Sequence, residues 1–145
     1  MAAVANLANH SQYRVFLSHG GGDSFIVKHV TPELEATGAS VFVDKGEIKY
    51  GDDFRDRIFA ELQACHELLI IITPTSVVRP WIFAELGVAI SRRVRIVTVI
   101  YGVPEADLQA KGILSLLGTH HYVDLSNIDN YYVELRARVR ETGNG

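Results

Sequence analysis

The sequence predicts an α/β domain, a five-stranded parallel sheet with helices on both faces. Three observations carry this. Strand segments at 13–18, 40–43, 68–72, 95–101 and 120–123 alternate along the whole chain with segments of helical spacing. The third segment is continuous and aliphatic, as a central strand buried on both faces requires. No internal repeat or low-complexity stretch interrupts the alternation.

Each element has a local cause. YRVFLS at 13–18 is rich in β-branched and aromatic residues, and Gly20 to Gly22 end it. Asp23 or Ser24 can cap the next helix, 25–36. Pro32 is expected to kink that helix or reset its first turn, and Thr37-Gly38 closes it. The strand at 40–43 runs into a polar loop, DKGEIKYG at 44–51. Asp52 or Asp53 then caps a helix to about Ala64, with Phe54, Ile58, Phe59 and Leu62 at helical spacing. After the run at 68–72, Thr73-Pro74 opens a loop to Pro80. A helix follows from Trp81 to about Ser91. The strand at 95–101, a helix between 105 and 117, the short strand at 120–123 and a helix at 130–141 complete the pattern.

If the strand order is 2-1-3-4-5, that of a flavodoxin-like three-layer sandwich, the winding reverses between the first and third strands. Ligands in such sheets bind beyond the carboxyl ends of the strands at that reversal. The loops converging there are 18–23, 44–51 and 73–80, with the start of the Trp81 helix beside them.

Composition narrows the function classes. A chain of 145 residues suits one domain and buries roughly two-thirds of its unfolded surface. With 14 basic and 17 acidic residues the formal charge is -3, so no uniform positive field holds nucleic acid or anionic lipid. Cys65 is the only cysteine, which excludes an internal disulfide and a cysteine zinc cluster and fits a reducing, cytoplasmic compartment. It falls in the helical segment before the third strand, away from the strand ends. Residues 1–12 read as a poorly ordered lead-in, with neither the basic start nor the apolar core of a secretory signal, and no run reaches membrane-spanning length. Residues 13–141 form the domain, and 142–145 read as a tail or the start of a linker, leaving room for a sensor domain beyond Gly145.

Candidate sites differ in strength. Gly20 and Gly22 resemble part of a dinucleotide fingerprint, but Phe25 stands where the third glycine belongs, and Asp23 puts negative charge where the pyrophosphate would sit. No Walker loop or GxSxG elbow is present, and the histidines lack metal-ligand spacing; only His19 lies on a converging loop. Glu85 stands apart. Its helix has almost no polar face, since Ile82, Phe83, Leu86, Ala89 and Ile90 surround it. A salt bridge to Arg92 or Arg79 is one explanation for that carboxylate. A functional site is the other, because the helix begins at the ligand-binding edge and Trp81 offers an indole for stacking.

These residues carry a family resemblance. YRVFLSHGGGD at 13–23, VFVDKGEIKYGDDFRDRI at 41–58 and the segment 68–85 ending in WIFAEL resemble, in order and at ordinary spacing, the boxes of the Toll/interleukin receptor (TIR) domain family. Arg14, where many members have an acid, and Pro80-Trp81-Ile82, where many have Ser-Trp-Cys, point to the prokaryotic branch. The resemblance implies an NAD+ nucleosidase that hydrolyses or cyclises, with NAD+ as substrate, no separate cofactor and no metal. Glu85, in W-x-x-x-E, would be the catalytic residue. Trp81 would position the substrate, Asp44, Lys45 and Ile48 in the loop would contact the dinucleotide, and Ser18 and His19 would line the ribose side. Ser18, His19 and Ser76 are the candidates to keep Glu85 ionised. Prokaryotic relatives further imply a self-associating effector in anti-phage or stress defence. The alternative is a non-catalytic adaptor signalling by homotypic assembly, for which Ile48 and Tyr50 supply apolar contact in the loop.

One carboxylate is chemically sufficient. Ordinary glycosidases need a second acid to protonate an alkoxide, whereas nicotinamide leaves as a neutral molecule. What remains is stabilising a ribosyl cation, which an anionic Glu85 can do best where apolar neighbours exclude water.

Overall fold

The computed structural model describes residues 12–19, 23–44, 54–74, 87–104, 106–107 and 122–144, with backbone alone at 44, 54–57, 143 and 144. Five parallel strands form one sheet: β1 (Arg14–Ser18), β2 (Ser40–Asp44), β3 (Glu67–Ile72), β4 (Arg95–Ile100) and β5 (Tyr122–Asp124), in the order β2-β1-β3-β4-β5. The expected order 2-1-3-4-5 is therefore the observed one. The helices are α1 (Ser24–Ala36), α2 (Phe54–Ala64) and α3 (Ile128–Asn144), and residues 87–91 are also helical. Of the helix expected between 105 and 117, only residues 106 and 107 are described, and both are helical.

Period-two alternation divides the core between the two faces of the sheet. Phe16, Leu68, Ile70, Ile72, Ile96 and Ile100 pack with Ile58 and Leu62 of α2 and with Ala89 on one face. Val15, Leu17, Leu69, Ile71 and Val99 pack on the other with Ile26, Val30 and Leu34 of α1 and Tyr131, Tyr132 and Leu135 of α3. Every residue of β3 is buried, as its unbroken aliphatic run requires.

Pro32 does not end α1, which runs through it. The proline and Lys28, whose carbonyl loses its donor, both lie on the exposed side, where water can satisfy that carbonyl. Burial of Ile26, Val30 and Leu34 holds the opposite side in place. Gly38 closes the helix at φ +97, its N–H donating to the Glu35 carbonyl at 2.9 Å. The helix at 87–91 ends in a Schellman arrangement, Arg93 N–H to Ile90 carbonyl at 3.1 Å and Val94 N–H to Ala89 carbonyl at 3.0 Å. Its left-handed position, φ 57, is taken by Arg93, where glycine would avoid a cost of roughly 1 kcal/mol.

The amino ends of the strands are tied together by one carboxylate. Glu67 opens β3 fully buried and accepts from the Tyr13 hydroxyl at 2.7 Å, from the Tyr131 hydroxyl, and from Arg138 Nε at 2.9 Å and Nη2 at 3.1 Å. Beside it His66 stacks on Tyr13, ring centroids 4.9 Å apart, and its Nδ1 accepts from the Arg14 N–H at 3.0 Å. Burial, and then the Arg14 charge, hold the His66 imidazole below its ordinary pKa.

Some boundaries differ from expectation. The third strand begins at Glu67 rather than at residue 68, because the carboxylate finds buried partners instead of solvent. The last helix spans Ile128–Asn144, beyond 130–141 at both ends, and the last strand includes Asp124. Cys65 lies past the end of α2, buried at the amino rim, with Sγ 3.2 Å from the Leu62 carbonyl.

Candidate functional site

β1 and β2 end together at the carboxyl rim, with Ser18 in register with Asp44, and β3 continues past Ile70, the partner of Ser18, to Ile72. Ile70 is paired in turn with Thr98 of β4. Asp44, Ser18, Ile70 and Thr98 thus form one lateral row. Residues in register on parallel strands point the same way, so the Ser18 and Thr98 hydroxyls flank Ile70 on the face where Ala89 packs.

Both hydroxyls are buried, Ser18 at 0% and Thr98 at 1% exposure. Ser18 Oγ and Thr98 Oγ1 have no hydrogen-bond partner among the described residues. Buried polar atoms of this kind cost about 1–3 kcal/mol each when unsatisfied, so two in one row mark a place where the fold forgoes stability.

The first loop is fastened to the end of β3 by a contact between acidic and hydroxyl side chains. Thr73 Oγ1 donates to Asp23, 2.8 Å from Oδ1 and 2.9 Å from Oδ2, and both residues are 3% exposed. Asp23 occupies the N-cap position of α1 yet makes no side-chain cap bond. The expected capping role is thus replaced by a link across the rim. His19, buried at 7%, follows Ser18 at the same rim. Beyond β4, Gly102 adopts φ +70 next to Pro74, and Tyr101 N–H donates to the Ile72 carbonyl at 3.0 Å, so the β3 and β4 exits stay joined.

Of the residues singled out from sequence, Ser18 and His19 lie at this rim, and Asp44 ends the adjoining strand. Lys45, Ile48, Ser76, Trp81 and Glu85 lie outside the described residues. Arg92, one candidate ion-pair partner for Glu85, is turned toward α2, with Nη1 donating to the Leu62 carbonyl at 2.8 Å. Asp23, Thr73 and Thr98 are rim or row residues that the sequence reading did not select. A threonine inside the aliphatic run RIVTVI was the available signal for Thr98. For Asp23 the signal was an acid where a phosphate-binding loop would exclude one.

The TIR domain family model matches residues 15–138, which covers β1 through most of α3. The chain belongs to the TIR domain family. The fold agrees with solved TIR domains. The TIR domain of the Toll-related receptor TRR-2 from Hydra magnipapillata aligns at TM-score 0.61 and 18% identity, covering 88% of this chain and 96% of that one. The TIR domains of the activated Roq1 resistosome, directly recognising the pathogen effector XopQ, align at TM-score 0.58 and 18% identity, covering 91% and 84%.

Two curated TIR relatives carry enzymatic names. The probable 2′ cyclic ADP-D-ribose synthase BdTIR of Brachypodium distachyon is 24% identical over 108 residues, 73% of this chain and 48% of that protein. The 2′ cyclic ADP-D-ribose synthase BtTIR of Bacteroides thetaiotaomicron is 33% identical over 82 residues, 56% of this chain and 29% of that protein. The chain thus spans less than half the length of either. Among the described residues no helix is long and apolar enough to cross a membrane.

Proposed function

We propose that this TIR domain cleaves the bond between nicotinamide and ribose in NAD+, with Glu85 as the catalytic carboxylate. The observation that carries the reading is the pair of buried, unpartnered hydroxyls, Ser18 Oγ and Thr98 Oγ1, on the sheet face under Ala89. Glu85 precedes Ala89 by four residues, one helical turn, so the helix expected from Trp81 onward would deliver its carboxylate to that face. There the two hydroxyls can donate to a carboxylate or to ribose oxygens, and the aliphatic surroundings exclude water. The enzymatic names of the two curated relatives support the same chemistry.

In this mechanism the C–N bond breaks as nicotinamide departs, taking the bonding pair and leaving as a neutral molecule. Glu85 stabilises the ribosyl cation by charge, and Trp81 holds the dinucleotide beside it. Asp44, Lys45 and Ile48 contact the dinucleotide, while Ser18, His19 and Ser76 surround the ribose and the carboxylate. Water captures the cation and loses a proton to solvent to give ADP-ribose, or a hydroxyl of the same molecule captures it, with loss of its proton, to give a cyclic product. Depletion of NAD+ or release of a nucleotide messenger would suit a prokaryotic defence effector in the cytoplasm.

The test is NAD+ turnover at high protein concentration by the chain and by its Glu85→Ala form, with nicotinamide, ADP-ribose and cyclic products separated chromatographically. Turnover should be lost in the variant; equal rates sink the assignment. The second reading, an adaptor acting by self-association, draws on exposed Phe25 of α1 and Val133 of α3, 55% and 63% accessible. Light scattering on the same samples tells an adaptor, assembled yet releasing no nicotinamide, from an enzyme that is silent because it is monomeric.

A further inference from the structure

A cleft of about 740 Å³ opens at the amino rim of the sheet, between the start of β4, Val123 of β5 and α3. It lies at the opposite end of the strands from the row holding Ser18, and so does not depend on the function proposed above. Its size is that of a small-molecule site.

Among the described residues three guanidinium groups line it: Arg93, Arg95 and Arg138. Arg138 is already engaged by Glu67. Arg93 and Arg95 are exposed, and neither takes part in an ion pair among the described residues. The acid in the lining among the described residues, Glu134, is 70% exposed and meets Arg138 at only 4.0 Å, so it does not neutralise the other two. Beside these cations the described lining includes the aliphatic side chains Ile90, Val97 and Val123.

The backbone supplies an independent observation. Arg93 sits at φ 57 in the closing turn of the helix at 87–91, where glycine would be unstrained. An arginine at a strained backbone position in the lining of a cleft points to a role for its side chain there. Paired arginines suit phosphate, because the planar guanidinium donates two parallel hydrogen bonds to its oxygens.

We infer that this cleft binds a phosphate-bearing nucleotide, with Arg93 and Arg95 holding the phosphates and the aliphatic side chains of Ile90, Val97 and Val123 receiving the base. The occupant is a ligand at a second site, remote from the carboxyl rim.

The test is calorimetric binding of ADP, inorganic pyrophosphate and adenosine to the full chain, with thermal melts alongside. ADP should bind and raise the melting temperature, pyrophosphate should bind more weakly and lose affinity with added salt, and adenosine should not register. Arg93→Gly should melt at or above the parent temperature, since glycine relieves the turn, yet bind ADP at least tenfold more weakly. Arg95→Gln should weaken ADP to a similar degree, and Arg136→Gln, outside the cleft, should not. Glu85→Ala should retain ADP binding. Absence of ADP binding, full binding by Arg93→Gly and Arg95→Gln, or adenosine binding as well as ADP would each overturn the inference. If ADP binding is lost in Glu85→Ala but kept in both arginine variants, the nucleotide belongs to the proposed NAD+ site and the cleft is not a nucleotide site.

Discussion

Arg138 closes on Glu67 as a two-point fork, Nε to Oε1 at 2.9 Å and Nη2 to Oε2 at 3.1 Å, and so joins α3 to the first residue of β3. The Glu67 side chain is fully buried and that of Arg138 is 16% exposed. Glu67→Gln leaves the guanidinium without its anion, and breaking a buried pair from one side costs about 3–5 kcal/mol. Partial exposure of the arginine sets the expected loss near the lower end, measured by urea unfolding. Replacing both residues with leucine should cost less than the sum of the two single changes.

Alkaline pH tests the same cluster from the tyrosine side. Burial, and then the Glu67 charge, push the Tyr13 and Tyr131 phenols far above their ordinary value. Burial, then Glu33 and Asp129, push Tyr132 up to about 12. The folded state therefore holds protons that the unfolded chain releases near pH 10. This contribution to stability is complete below about pH 10 and is lost as pH rises above it. Tyrosinate absorbance should show these three of the six tyrosines ionising only with unfolding.

The row at the carboxyl rim should behave in the opposite way. Thr98→Val removes a buried hydroxyl with no partner at constant shape, so stability should hold or rise by about 1 kcal/mol. Ser18→Ala should likewise leave stability intact. Under the proposed function both variants lower NAD+ turnover, so a gain in melting temperature accompanied by a loss of rate is the expected result. A loss of stability in Thr98→Val would show that its hydroxyl is satisfied in solution.

Cys65 should be inert while the domain is folded. It is 8% exposed, and burial pushes its thiol up to about 11, so little thiolate exists at neutral pH. Labelling by a thiol reagent should follow unfolding and accelerate with denaturant. Rapid labelling of the native protein would contradict the burial.

The parallel sheet was legible in the sequence because its cause is local. An unbroken, five-residue aliphatic run at 68–72 closed by Thr73-Pro74 reads as a buried strand, and Thr37-Gly38 needs only its own backbone to end a helix. Glu67 was not legible. A carboxylate before an apolar run reads as solvent-facing, and its partners Tyr13, Tyr131 and Arg138 lie 54, 64 and 71 residues away. Asp23 failed for the same reason: capping is a local rule, and Thr73 at 50 residues' separation outcompeted it. At the rim, Ser18 and His19 were found because the sheet topology names the converging loops. Thr98 lies inside a strand, where that topology gives no hint.

The buried carboxylate at β3 gives the domain two unlike ends. At the amino end Glu67 engages two phenols and a guanidinium in one charge-assisted cluster, so those strand ends and the last helix must open together. The row of Asp44, Ser18, Ile70 and Thr98 is outside that cooperative unit. Amide exchange should therefore be graded along each strand, slowest near Glu67 and faster toward the Ser18 end. The Asp23–Thr73 link at the Ser18 end shares no residue with the Glu67 cluster, so cutting it should speed exchange at that end alone.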